Sequence, residues 1–367
     1  MKFDDLTIGV EEEYQVINAE TRELTSFVSD FLESGTMIYH DQVKPEFLQS
    51  QVEIGSHVCR NIKEVRQELI RLRRSVSEFV AKDERKIVAA GTHPFSRWQD
   101  QTITEKDRYK GLVDSMQYVA RRLLVFGMHI HIGIPDRELR MDIMNQMVYF
   151  MPHFLCLSTS SPFWLGYNTG LKSYRSVVLE DLPRTGLPEY FDSADDYDRY
   201  VSTLVQTNCI DEPTKIWWDI RPHPEFPTVE FRICDSTTKV DEVVAIVALM
   251  QSLVVKLIQL RKNNQSWRRY RRALIAENKW RAVRNGIAGT LLDLGKEEEV
   301  PLHFLMEEIL EWVDDVVDDL GTRRDIEYIR TILKEGTSAE RQLRKYQETN
   351  SLLDVVDMLA EETVLGC

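Results

Sequence analysis

His129 and His131 stand two apart in "VFGMHIHIGIP", residues 125–135, each flanked by apolar residues. In an extended chain alternate side chains share a face, so Gly127, His129, His131 and Gly133 fall on one side and Met128, Ile130, Ile132 and Ile134 on the other. Three further stretches divide in the same way. In "LTIGVEEEYQVI", Glu11, Glu13 and Gln15 oppose Ile8, Val10, Tyr14 and Val16, with Glu12 an exception on the apolar side. In "FLQSQVEIGS", Gln49, Gln51 and Glu53 oppose Leu48, Val52 and Ile54, and in "PTVEFRICD", Glu230 and Arg232 oppose Val229, Phe231 and Ile233.

A strand face that is merely solvated usually carries Thr, Ser or Lys as well, whereas these carry acid, amide, imidazole and guanidinium. If Glu11, Glu13, Glu53 and Glu230 converge, their repulsion must be relieved by protonation or by cations. Carboxylates with imidazole and no thiolate are hard donors that suit Mg²⁺ or Mn²⁺, ions that keep water and bind substrate phosphates. Arg232, on the face of Glu230, is suited to an anion such as a phosphoryl group. The residues alone point to metal-assisted nucleotide chemistry.

Such strands need a scaffold, and an antiparallel sheet covered by helices on one side supplies it. "IKEVRQELIRLRRSVSEFV" places Ile62, Val65, Leu69, Leu72, Val76 and Phe79 on one helical stripe. Residues 108–124, 137–155, 195–207 and 239–261 read likewise, and beyond "EEEVPLHF" only helical patterns remain. The class is α+β, divided into a catalytic core over 1–295 and an acidic helical C-terminal extension over 296–367 packed on the same unit.

Composition excludes several alternatives. The 367 residues are 43% hydrophobic and 29% charged, which is globular composition. No uninterrupted apolar run approaches the ~18 residues of a membrane span, and "MKFDDLTIGVEEE" lacks a signal peptide's basic and apolar stretches, so a cytoplasmic protein with no membrane partner is expected. The five cysteines are scattered without a CxxC pair, which argues for thiols rather than a disulfide framework or zinc site. The formal charge of −14 opposes general nucleic-acid binding. Charge is uneven, however: residues 296–367 hold 19 acidic and 8 basic side chains, whereas 261–284 hold nine basic and one acidic. That basic segment reads as a solvated or tail-paired helix, or as a phosphate-facing one.

Several motifs resemble a known family. "GMHIH" and "VEFRICD" resemble strands of glutamine synthetase. "GVEEEY", "QSQVEIG", "GTHP", "SPFWLGYNTGLKSYRS", "PRTGLP", "WWDIRPHPEFPTVEFRICD" and "ENKWRAVRNG" resemble the carboxylate-amine ligase branch of the glutamate–cysteine ligase type 2 family, over residues 9–286. The resemblance implies a glutamine synthetase-like fold in which a curved antiparallel sheet forms one wall of an active-site funnel. It also implies an ATP- and Mg²⁺-dependent ligase that makes an amide through an acyl phosphate. Glu11, Glu13, Glu53, His129 and Glu230 then match metal ligands, His131 a phosphate-contacting imidazole, and Arg232 a guanidinium on the transferring phosphate. Glutamate is the expected acid, and cysteine or another small amine the acceptor.

The other candidates keep two readings. Arg175 is either a clamp for a substrate carboxylate or a loop pin; Arg221 either meets substrate or pairs with Asp219 or another neighbour. Gln51 is expected at the substrate, and Lys279 and Arg281 at nucleotide phosphates. His93, before a proline, is expected to be structural or to line the site. A phosphotransferase on the same fold, and a non-enzymatic nucleotide or nucleic-acid binder, are the competing functions. "VAIVALMQSLVVKLIQL" is either core or an interface, and a homodimer is carried as an expectation.

Overall fold

Alternation in the four chemical stretches builds the centre of a seven-stranded antiparallel sheet. The computed structural model describes residues 6–27 and 42–367. Its sheet strands are β1 (Ile8–Asn18), β2 (Val43–Pro45), β3 (Gln51–Gly55), β4 (Arg85–Val88), β5 (Met128–Gly133), β6 (Ile220–Pro222) and β7 (Thr228–Phe231). Their order is β6-β7-β5-β1-β3-β2, with β4 pairing the second half of β1 on the edge that β5 leaves free. Register does the positioning. Glu13 lies opposite Glu53, Glu11 opposite His129, and His131 opposite Glu230, which is in turn opposite Arg221.

The other face of the sheet is core. Ile8, Val10, Tyr14, Val52, Ile54, Ile130, Ile132, Val229 and Phe231 are buried in one apolar cluster with the helices behind them. The main helices are α1 (Ile62–Ala81), α2 (Asp107–Met116), α3 (Arg137–Met147), α4 (Met151–Ser158), α5 (Tyr174–Glu180), α6 (Ala194–Gln206), α7 (Val240–Lys262), α8 (Arg272–Asn285), α9 (Leu302–Val317), α10 (Tyr328–Glu335), α11 (Ser338–Thr349) and α12 (Leu352–Thr363); α2 and α5 pack in a second apolar cluster, and α11 and α12 in a third. The α1 stripe arises as its spacing requires: Ile62, Val65, Leu69, Leu72, Val76 and Val80 are buried, and Asn61 caps the first turn by accepting from Glu64 N at 3.0 Å. Each such aliphatic side chain contributes about 1.5–3 kcal/mol on burial.

Two helical readings break where local chemistry breaks them. The expected 108–124 helix stops at Met116, because Gln117 takes a left-handed φ of 52°, and only a single turn, Tyr118–Arg121, follows. The expected 137–155 helix passes through a 3₁₀ turn at Val148–Phe150 before α4, whose first turn accommodates Pro152.

Although no uninterrupted apolar run of that length stands in the sequence, α7 is long and apolar enough to cross a membrane. It is core instead: every residue from Glu242 to Val255 is buried, and Gln251 donates to Leu6 O at 3.2 Å. Its apolar surface is thereby used inside the chain. The two-stranded hairpin Thr290–Asp293/Glu298–Pro301 leads into α9, and no strand follows it among the described residues. Leu302, Met306, Val313, Val316, Ile329 and Ile332 of the C-terminal segment belong to the same buried cluster as the sheet.

Glu12, the exception on the apolar face, is resolved here. It is fully buried and paired with the equally buried Arg73, whose Nε lies 3.1 Å from Glu12 Oε2. Arg73 also donates to Thr237 O and to Thr363 O, both at 2.9 Å, and Tyr14 donates its hydroxyl to Glu12 at 2.5 Å. One guanidinium thus ties β1 to the segment after β7 and to the last helix. A second buried arginine, Arg341, pairs with Glu242 and Glu362.

Candidate functional site

The polar face of the sheet opens onto a cavity of about 470 Å³, within the range of small-molecule sites. Ten of the sequence-predicted residues line it: Glu11, Glu13, Gln51, Glu53, His129, Arg175, Arg221, Glu230, Arg232 and Lys279. His131 sits beside it, with Nε2 3.7 Å from Glu11 Oε1.

Around Glu230 the charges are balanced by protein. Arg221 Nε lies 2.6 Å from one carboxylate oxygen and Arg232 Nη1 2.5 Å from the other. Burial works against the Glu230 carboxylate, but Arg232 and Arg221 outweigh it and hold the group well below its usual range. Arg221 therefore takes the salt-bridge reading, with Glu230 rather than Asp219 as partner, and also donates to Thr214 O at 2.9 Å. Arg232 remains the more accessible of the two and reaches His129 Nδ1 at 3.3 Å.

Glu11 stands between both imidazoles. Its Oε2 is 3.2 Å from His129 Nδ1; burial raises its pKa, and the neighbouring imidazoles of His129 and His131 outweigh that and hold it well below its usual range. His129 is pushed down to about 4 by burial and by Arg232. Its Nδ1 faces both an accepting carboxylate and a donating guanidinium, so one tautomer satisfies only one of them. His131 Nδ1 lies 3.1 Å from Thr228 Oγ1, while its Nε2 is buried with no hydrogen-bond partner. One donor atom each from Glu11, His131 and Glu230 fall within 4.8 Å of one another. The sequence reading gave ligation to His129 and phosphate contact to His131. In this geometry His131 joins the potential ligand group, because β7 pairing brings Glu230 opposite it, and His129 is taken up by Arg232 and Glu11.

On the other flank the charges are not balanced. Glu13 and Glu53 face each other across β1 and β3, and Glu46 adds a third carboxylate to the cavity wall. Burial, then Glu46, pushes Glu13 up to about 7, against the opposing pull of Arg175, Gly127 N–H and Arg232. Burial, then Glu46, Glu11 and Glu13, pushes Glu53 well above the usual carboxylate range. Half-buried carboxylates crowded together are what a divalent cation would relieve, so the donors fit a hard metal ion. Glu46 was missed in the sequence because it follows the three-residue strand β2. The available signal was Lys44, which is in register with Glu53 and so shares its face.

Arg175 is both wall and pin. It is 4% exposed, donates to Ile233 O at 3.3 Å and Arg232 O at 3.2 Å, and keeps a buried Nε without a partner. Gly127 leaves room for it, since a Cβ there would come within 2.4 Å of Arg175 Nη2 and the guanidinium would have to shift. The loop before Arg175 is anchored by Asp235, another residue the sequence reading did not select. This fully buried carboxylate accepts from Ser161 Oγ at 2.7 Å, Ser173 Oγ at 2.8 Å and Ser160 N at 3.0 Å.

Lys279 reaches the cavity but is occupied there by Asp219 at 2.7 Å and Glu180 at 2.9 Å. Arg281 does not reach the nucleotide position expected of it. It is not part of the cavity wall and instead meets Glu299 at 3.0 Å and Thr290 Oγ1 at 3.1 Å. Two helical residues lie about 200° apart, so Lys279 and Arg281 cannot share a target. The basic segment itself is split: α7 ends at Lys262, α8 begins at Arg272, and two of its cations are paired across the molecule, Arg261 with Asp142 and Arg272 with Glu189. His93 is structural, its Nδ1 accepting from Ser96 N at 2.9 Å.

A sheet whose polar face collects hard ligands and guanidinium groups over a cavity is the frame of a carboxylate–amine ligase. Comparison with known proteins makes the relationship specific. The model of glutamate–cysteine ligase family 2 matches residues 7–357, and the chain belongs to that family. A relative from Herpetosiphon aurantiacus, named "Putative glutamate--cysteine ligase 2", is 54% identical over 98% of this chain and 94% of its own length. Among solved structures, a glutamate–cysteine ligase from Francisella tularensis in complex with AMP has a TM-score of 0.70 at 13% identity, covering 98% of this chain and 89% of that one. A bifunctional glutathione synthetase from Pasteurella multocida has a TM-score of 0.72 at 14% identity, covering 99% of this chain. The present chain spans about half of that protein, 53%. At these identities the two structures establish a shared fold.

Proposed function

We propose that this enzyme is an ATP- and divalent-cation-dependent ligase that joins a carboxylate to a primary amine, with glutamate as the acid and a small amine, cysteine among the candidates, as acceptor. The observation that carries the reading is the pairing in register of Glu13 with Glu53 and of Glu230 with His131, beside Arg232, on one wall of one cavity. Family membership and the 54% identity to a relative named "Putative glutamate--cysteine ligase 2" support it.

Glu11, His131 and Glu230 on one flank, and Glu13, Glu46 and Glu53 on the other, would hold Mg²⁺ or Mn²⁺. Such ions supply neutralisation between a triphosphate and an attacking carboxylate. The chain's own groups do the rest. Arg232, fixed by Glu230, stands ready to balance charge on the transferring phosphoryl group. A carboxylate oxygen of the acid attacks the γ-phosphorus and the bond to the bridging oxygen breaks, releasing ADP and leaving an acyl phosphate. The amine nitrogen then attacks the acyl carbon, the carbon–oxygen bond to phosphate breaks, and the nitrogen loses its proton to the departing phosphate or solvent. No side-chain nucleophile is needed.

The test is phosphate release from ATP, Mg²⁺ and glutamate with and without amine, with mass spectrometry of the products. Amine-dependent phosphate equal to ADP, with a new amide mass, is expected. A stable phosphorylated product in its place makes the enzyme a phosphotransferase.

A further inference from the structure

The cavity has chemically different ends. Val125 and His129 line it, with Gly127 between them and His131 beside it, so from residue 125 to 131 the chain runs about 20 Å along it at ~3.3 Å per residue. At the His131 end, the His223 and Phe226 rings stack 4.6 Å apart at 13°, with Phe226 54% exposed and His223 5.3 Å from His131. At the Val125 end the wall is largely apolar, with Glu46 beside it accepting from the Tyr109 hydroxyl at 3.4 Å. Phe47, Tyr109, Leu112, Leu123, Val125 and Leu179 belong to one hydrophobic cluster and all line the cavity. Leu112, Leu123 and Leu179 are only half-buried, so apolar surface faces the open volume. The charged centre lies between the ends: Glu13 accepts from Gly127 N at 2.6 Å, and Arg175 packs against that glycine.

Resting on the ligase reading above, we infer that the apolar wall receives the acceptor, a primary amine bearing an apolar group of leucine or phenylalanine size rather than a compact thiol. Three components must be accommodated. A planar base stacks on aromatic faces, which the His223–Phe226 pair supplies at the far end. Glutamate carries two carboxylates and an ammonium around two methylenes, so its charged groups would lose water against an apolar wall with little aliphatic surface to offset that. The acceptor is the remaining occupant. Lys106 and Arg108, exposed cations that line the same cavity, suit an amino acid's carboxylate at the wall's rim. Contact with a well-matched apolar wall discriminates by roughly ten- to a hundredfold per side chain.

The test uses the full chain with ATP, Mg²⁺ and glutamate, and an amine panel of glycine, alanine, cysteine, leucine and phenylalanine, following ADP and amide mass. Leucine or phenylalanine should exceed alanine and cysteine in kcat/KM by about tenfold or more. In Leu112→Asn and Leu179→Asn, each checked for folding by circular dichroism, that preference should collapse through the KM for the amine while the KM for ATP stays constant. Amide formed with cysteine in preference to leucine overturns the inference and leaves the ligase reading intact. A rise in the KM for ATP alone also overturns it, by giving the wall to the nucleoside. No amine-dependent ADP with any member of the panel removes both readings.

Discussion

Glu12 and its neighbours Glu11 and Glu13 are consecutive on one strand, yet they meet opposite solutions to the same electrostatic problem. Glu12 points into the helices, where the protein supplies its counter-charge outright as Arg73, with Tyr14 and backbone carbonyls completing the hydrogen bonds. Glu11 and Glu13 point the other way. Glu13 finds further carboxylates before it finds a cation, and its pKa rises to about 7 as burial and Glu46 act on it. A buried charge neutralised within the chain is architecture; half-buried charges left for an outside cation make a binding site. The flank around Glu230 is intermediate, since Arg221 completes its wall while Arg232 keeps a more exposed side.

That contrast can be broken from the Glu12 side with the largest effect. Arg73→Ala leaves an unpaired buried carboxylate and should cost about 3–5 kcal/mol in urea denaturation. The double change Glu12→Leu with Arg73→Met should recover most of it, and failure to recover would mean that the pair holds more than its own charges. On the cavity face the loss should appear in turnover instead. Arg232→Ala is expected to lower kcat on the order of 10²–10³-fold with a much smaller change in ATP affinity, because its charge is needed most in the transition state. Equal losses in binding and no change in kcat would move Arg232 out of that role. Glu230→Gln should lower activity about 10–100-fold at limiting Mg²⁺, with partial recovery at high Mn²⁺; parental activity at limiting Mg²⁺ would contradict its place among the ligands.

The smallest effect concerns pH. Burial pushes His93 down to about 4, and its Nδ1 accepts from Ser96 N and Phe95 N. A histidine whose folded pKa is depressed contributes stability that is complete above the unfolded value near 6.5 and is lost as pH falls toward 4. Between pH 7 and 5 this amounts to about 1–2 kcal/mol, and His93→Asn should flatten that part of the pH–stability curve. An unchanged slope would show that other groups, His153 among them, account for it.

Much of this was legible before any coordinates. Period-two alternation identified the strands and the face of each chemical residue, because a one-residue slip would have placed Glu11 or His129 among isoleucines. The exception at Glu12 was visible, but its partner was not. Arg73 lies in the middle of a charged amphipathic helix, and nothing local separates it from the exposed Arg71 or Arg74. Glu46 and Asp235 escaped for a related reason, since one follows a three-residue strand and the other lies just beyond the end of β7. Arg281 was misassigned by treating near-helical spacing as a shared face. Cross-strand register, and therefore which imidazole meets Glu230, depends on long-range pairing that periodicity does not encode.

Manganese binding, read as loss of the free-ion paramagnetic resonance signal, most directly probes whether the open carboxylates gather a cation. The account predicts that the parent chain takes up Mn²⁺ and that Glu11→Gln and Glu53→Gln each weaken uptake by at least about tenfold while remaining folded. Equal uptake by the parent and both variants would contradict it.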